Sequence, residues 1–148
     1  MMLEVEGGTP AWCMKIMRHE AGHVFNYAYR LYDQEEWVKQ FGSITQPYSE
    51  EYRPEPFSRS YVRHLPGWYA QKHPDEDWSE TFAVWMTPGL DWKKEYGGWP
   101  VAAAKLGWDP VAGQPGTTAT QPIEIRRSRG NGTVMVIRAG GSSGKCSA

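Results

Sequence analysis

The sequence predicts an α+β fold that is mostly helical: a short N-terminal edge strand, a long helix carrying two histidines, and a second helix rich in acids. Three observations predict it. Residues 2–6 place apolar and acidic side chains in near alternation, residues 11–32 run without proline, and residues 75–87 form a second proline-free run closed by Pro88-Gly89. Period-two patterning reads as strand, and three- to four-residue recurrence reads as helix.

The expected edge strand covers Met2 to Glu6. The first helix opens at Thr9, whose hydroxyl can cap, with Pro10 suited to the first helical position. Trp12, Ile16, His19, Glu20, His23 and Tyr27 then recur at helical spacing and predict one buried stripe. Gly22 interrupts it with a residue that lets another backbone approach closely. Residues 42–75 contain Pro47, Pro54, Pro56, Pro66 and Pro74, which exclude a long helix. In the second helix Asp75, Glu76 and Asp77 suit the positive N-terminal end. Residues 91–96 and 100–106 read as two further short helices.

All 8 Trp, 8 Tyr and 4 Phe lie at or before Trp108, so a boundary is drawn there. Residues 1–108 hold the expected core. Residues 109–148 are expected to be linker and tail, rich in Gly, Ser and Thr. Ile123 to Ile125 and Thr133 to Ile137 flank Gly130-Asn131-Gly132, which reads as a marginal hairpin.

The net charge of −1 and a pI near 6.4 give no basic surface for nucleic acid or anionic membranes. No apolar run approaches the roughly 20 residues of a membrane span, and residues 1–6 lack the regions of a signal peptide. Two cysteines, Cys13 and Cys146, make neither a disulfide framework nor a zinc ribbon. A cytoplasmic location is the expectation.

The most informative run is His19-Glu20-Ala21-Gly22-His23, the pattern H-E-x-x-H. On a helix, residues four apart share a face, so both imidazoles can grip one metal ion, with Glu20 beside the open coordination position as a base. Two imidazoles, a third protein ligand and an open position describe a catalytic zinc centre. The extended motif with a third histidine fails: Asn26 stands in its glycine's place and Tyr29 in the histidine's. A carboxylate from the second helix is the alternative. Glu76 and Glu80 are four apart on one face, where two acids repel unless a cation lies between them. One would ligate and the other accept the N–H of a ligand histidine.

Glu76-Asp77-Trp78-Ser79-Glu80 resembles the gluzincin order of ligand glutamate, small residue and orienting acid, which implies Glu76 as the metal ligand and Glu80 as the orienting group. The reverse stays open, because Glu80-Thr81-Phe82-Ala83 also resembles the E-x-F-A run of other gluzincins. Tyr69, seven residues before Glu76, matches the offset of a tyrosine that stabilises the oxyanion in lethal-factor-like gluzincins; His64, Tyr61 and His73 are rivals for that part.

These motifs, with Phe57-Ser58-Arg59-Ser60-Tyr61-Val62, Trp68-Tyr69-Ala70-Gln71-Lys72-His73-Pro74 and Glu80-Thr81-Phe82-Ala83-Val84-Trp85, resemble a bacterial family of zinc-binding metallopeptidases over residues 2–106. The resemblance implies a zincin-like fold, a Zn2+ cofactor and a peptide or protein substrate. It also implies that Met1 falls in mid-domain and that the chain is a truncated member. Two functions are therefore expected: a peptidase in which Glu20 activates water, or a zinc-binding remnant or interaction module without turnover.

Overall fold

Thr9 caps the first helix by accepting from the backbone N–H of Trp12, and Pro10 occupies the first turn. The structure, a computed structural model, describes residues 8–49 and 51–110. Five α-helices are present in these residues: α1 (Pro10–Tyr29), α2 (Glu35–Phe41), α3 (Pro74–Trp85), α4 (Trp92–Tyr96) and α5 (Pro100–Gly107). Short 3-10 turns occur at Leu31–Asp33 and Tyr69–Gln71. The chain divides into two units, Met1–Trp108 and Asp109–Ala148, and all of these elements belong to the first.

The described residues contain no strand, so the described part is helical where an α+β fold was expected. The expected edge strand at residues 2–6 and the expected hairpin of the tail lie outside the described residues. No helix among the described residues is long and apolar enough to cross a membrane.

Helix α1 stops three residues earlier than its pattern predicts. Arg30 adopts the left-handed conformation (φ 50°), and its N–H caps the carbonyls of Asn26 and Tyr27. Helix α2, which the sequence reading did not anticipate, is short and anchors itself through two aromatic residues, Trp37 and Phe41.

Helix α3 is the axis of the unit. Every residue from Pro74 to Val84 is buried, although four of them are Asp or Glu. Such a helix survives only if each acid has a partner, since an unpaired buried charge is far more costly than any single apolar contact is favourable. One flank is aromatic: Trp78 and Phe82 meet Phe25 of α1 at 6.4 and 5.3 Å between ring centroids, and Phe41 meets Trp78 edge-on. Val62, Val84, Tyr96, Ala102 and Leu106 form a second apolar cluster, which joins α3 to α4 and α5. Burying each of the larger side chains contributes roughly 1.5–3 kcal/mol.

Helices α1 and α3 approach most closely at Gly22. A Cβ built there would stand 2.7 Å from the Ser79 Cα, a distance that real side chains do not tolerate. Trp78 locks the crossing by donating its indole N–H to the Gly22 carbonyl at 2.8 Å. The buried seam of α1 is therefore His19, Gly22, Phe25 and Asn26. The expected stripe is corrected in two places: Glu20 and Tyr27 are exposed. A crossing made at a glycine buries only a narrow strip of the longer helix and leaves the flanking positions in solvent.

Candidate metal centre

The crossing brings His19 and His23 from α1 against Asp75, Glu76 and Glu80 from α3. His19 Nε2 lies 3.0 Å from Glu76 Oε2, His23 Nε2 lies 3.3 Å from the same oxygen, and the two Nε2 atoms are 3.1 Å apart. The three atoms form a nearly equilateral triangle. These edges approach the roughly 3.3 Å between ligand atoms that sit about 2.0–2.1 Å from a tetrahedral zinc ion.

The outer nitrogens explain why that triangle calls for a cation. His19 Nδ1 donates to Glu80 Oε1 at 2.8 Å, and His23 Nδ1 donates to Asp75 Oδ2 at 2.9 Å. A carboxylate only accepts, so both Nδ1 atoms carry hydrogen. In the neutral tautomers this leaves both Nε2 lone pairs facing each other and a carboxylate oxygen. Three lone pairs converging on one point repel unless protons or a metal ion lie among them. The donor set suits zinc: two imidazoles and one carboxylate, each imidazole oriented by its own acid.

Without an ion, protons take that place. Burial disfavours a charged His19, but hydrogen bonds to Glu76 and Glu80 outweigh it and push the imidazole up to about 9. Burial likewise opposes charge on His23, yet Asp75 and Glu76 raise it to about 10. Glu76 is lowered to about 2, because the two histidines overcome the penalty of its burial.

Each acid is itself fixed. Glu80, fully buried, accepts on its second oxygen from the backbone N–H groups of His64 at 3.0 Å and Leu65 at 2.8 Å. Asp75 accepts from Asn26 Nδ2 at 2.7 Å and from the Tyr27 hydroxyl at 2.8 Å. Glu76 accepts on Oε1 from the Tyr48 hydroxyl at 3.2 Å. The site is thus three carboxylates from one helix, two imidazoles from the other and a ring of neutral donors.

Of the residues singled out in the sequence, His19, His23 and Glu76 come together as a group able to hold a metal ion, and Glu80 stands behind His19. Glu20 is exposed and makes no hydrogen bond or ion pair among the described residues, which leaves its carboxylate available beside His19. The Tyr69 ring packs edge-on to His19, 5.5 Å between centroids, and its hydroxyl makes no hydrogen bond among the described residues. The three rivals are engaged elsewhere. His64 donates to the Lys15 carbonyl and receives the Lys15 ammonium on its own, a clamp between loop and helix. His73 caps α3 through Nδ1 and donates to the Gln46 carbonyl through Nε2. Tyr61 lies beneath the Lys105 ammonium at 4.4 Å.

Sequence reasoning missed Asp75 and Tyr48. Asp75 was read as a helix-end charge, although the need of each ligand histidine for its own acceptor was a signal for a third acid. Tyr48 lies in an irregular loop, where spacing carries no information about reach. Comparison with family models, curated proteins and solved structures yields no match to this chain.

Proposed function

We propose that the chain is a zinc-dependent metallopeptidase of the gluzincin type. The observation that carries this reading is the convergence of His19 Nε2, His23 Nε2 and Glu76 Oε2 with exposed Glu20 next to His19 on the same turn. A structural zinc site has no use for an unpaired acid next to a ligand histidine on the same helical turn, whereas a hydrolytic one requires a base.

When bound, the ion supplies a Lewis acid and lowers the pKa of water to about 7. His19, His23 and Glu76 hold it, with Glu80 and Asp75 keeping the imidazoles in their ligating tautomers. Glu20 takes a proton from the attacking water and delivers it to the leaving amine, a role worth roughly 10²–10⁴ in rate. Tyr69 donates its phenolic hydrogen to the carbonyl oxygen as that oxygen gains charge. The substrate is a peptide or protein.

The test is a broad peptide pool digested by the zinc-loaded chain and read by mass spectrometry. Cleavage that a chelator stops, that zinc restores, and that Glu20→Gln abolishes while still holding one zinc per chain supports the proposal. Zinc retained without any cleavage by the wild-type chain overturns it in favour of a metal-binding module.

A further inference from the structure

Among the described residues the guanidinium of Arg63 is held by aromatic rings without being paired. Its carbon lies 4.1 Å from the centre of the Trp68 ring, 4.8 Å from Trp99 and 5.7 Å from Phe57. Its backbone is pinned on both sides by one hydroxyl: the Arg63 N–H donates to Tyr96 Oη at 3.2 Å, and Tyr96 donates back to the Arg63 carbonyl at 3.4 Å. Yet Arg63 is exposed, and among the described residues its side chain makes no hydrogen bond and no ion pair.

The supporting rings are themselves anchored at some strain. Trp68 (φ 59°) and Phe57 (φ 64°) both adopt the left-handed backbone conformation, which costs an aromatic residue of order 1 kcal/mol or more and is a kind of strain that clusters at ligand-handling sites. Tyr52 holds the Trp68 carbonyl by a hydrogen bond, and Phe57 meets Trp68 edge-on at 5.3 Å while remaining 74% exposed. A large apolar ring left in solvent at a strained position gains little from the fold.

Position gives this cluster its meaning. Trp68 immediately precedes Tyr69, whose ring rests on His19; Arg63 immediately precedes His64, whose N–H holds the Glu80 that orients His19. The cage is therefore joined to the metal centre by two one-residue links. A guanidinium seated over aromatic rings, with no hydrogen bond or ion pair among the described residues, keeps its N–H groups for a planar, bidentate acceptor, and part of its side-chain ordering has already been met in the free protein.

We propose that Arg63, seated on Trp68 and flanked by Phe57 and Trp99, is a substrate subsite that binds a carboxylate of the peptide and so sets specificity. The proposal rests on the peptidase reading. The carboxylate comes from an acidic side chain or from the peptide's C-terminus, and both present the same planar anion.

Three matched hexapeptide pools separate these sources: one with Glu and Asp at randomised positions and an amidated end, one with Gln and Asn there and an amidated end, and the latter with a free C-terminus. Retention on immobilised, zinc-loaded Glu20→Gln protein reads binding without turnover; cleavage by the wild-type chain reads specificity. The charged pool that fits the subsite is retained about tenfold or more better than the neutral pool, the range of one charge-assisted hydrogen-bond pair. Arg63→Gln on the same background removes that preference while zinc content and melting temperature hold, and Arg63→Lys restores only part of it. Equal retention of all three pools by the Arg63-bearing protein overturns the subsite, and it does so without recourse to any variant that fails to fold. Preference in the retention arm with no cleavage by the wild-type chain overturns the peptidase reading and leaves the carboxylate site standing.

Discussion

His23 Nδ1 and Asp75 Oδ2 stand 2.9 Å apart, and they stand in the same relation as His19 Nδ1 and Glu80 Oε1 at 2.8 Å. Each imidazole thus has a private acid. Removing the charge while keeping the shape isolates that effect. Asp75→Asn is expected to weaken zinc binding about 10- to 100-fold, measured by competition with a chromophoric chelator, with helix content unchanged by circular dichroism. Unaltered affinity would show that His23 needs no acid behind it.

Glu76 and Glu80 are expected to differ in kind. Glu76→Gln removes the charged ligand oxygen and should cost the site most of its zinc at micromolar concentration. Glu80→Gln keeps the three ligand atoms and should lose affinity only by the 10- to 100-fold of an orienting group. Its second oxygen also serves two backbone N–H groups, so it should lower the melting temperature as well. Zinc stoichiometry by atomic emission on both variants decides the order, and the reverse order would make Glu80 the ligand.

Zinc uptake should be coupled to proton release. With His19 raised to about 9 and His23 to about 10, the imidazole pair holds at least one proton on its facing Nε2 atoms at pH 7 in the ion-free fold. Ligation expels such protons, so calorimetry in buffers of different ionisation enthalpy should report about one to two protons per zinc near pH 7, declining toward none above pH 10. The same groups set the stability of the ion-free chain. Their folded values exceed the unfolded 6.5, so their contribution is complete below pH 6.5 and is lost as pH rises through 9 to 10. Excess zinc should remove that alkaline loss. Fewer than one proton released at pH 7 would contradict this account.

Gly22→Ala tests the helix crossing. The methyl group would meet the Ser79 Cα at 2.7 Å, and overpacking of this kind costs about 1–3 kcal/mol. Better helix propensity returns up to about 1 kcal/mol of that. A net loss of about 1–2 kcal/mol in urea unfolding is expected, together with weaker zinc binding, because the crossing sets the distance between the ligands. A stabilised variant with unchanged zinc affinity would show that the helices do not meet there.

Lys105 and Asp77 form a further buried ion pair of α3, away from the histidines, at 2.6 Å, with the Lys105 ammonium also donating to the Ser60 carbonyl at 2.9 Å. Burial pushes Asp77 up to about 7 even though Lys105 pulls against it. Lys105→Met is expected to cost about 3 kcal/mol at pH 8, by leaving a buried carboxylate uncompensated, and less at pH 6, where Asp77 takes a proton. Denaturation curves at the two pH values read the difference. A cost that is equal at both would remove Asp77 as the cause.

Local chemistry made part of this legible in advance. Thr9-Pro10, the gap in prolines and the H-E-x-x-H spacing place α1 within three residues of its end, because caps and periodicity act over one or two turns. The acids of α3 were visible as a group, since four-residue spacing defines a helical face. Asp75 escaped because its partner lies on another helix, and no pattern within 75–80 distinguishes a macrodipole charge from an acceptor for His23. Helix α2 escaped because seven residues with two buried aromatic side chains hold too little periodicity to read. Tyr48 and the aromatic seat of Arg63 depend on how residues 42–73 fold back, which prolines constrain but do not spell out.

The narrow crossing of α1 and α3 at Gly22 carries a consequence for the order in which the protein matures. The two imidazoles are neighbours on one segment, but the oxygen that completes their grip arrives from more than fifty residues downstream. A nascent or partly unfolded chain offers an ion only a weak, two-handed hold. On the zinc reading, capture of the metal would be a late event, reserved for molecules whose two rods have already docked, and the ion would serve as a seal on a finished fold.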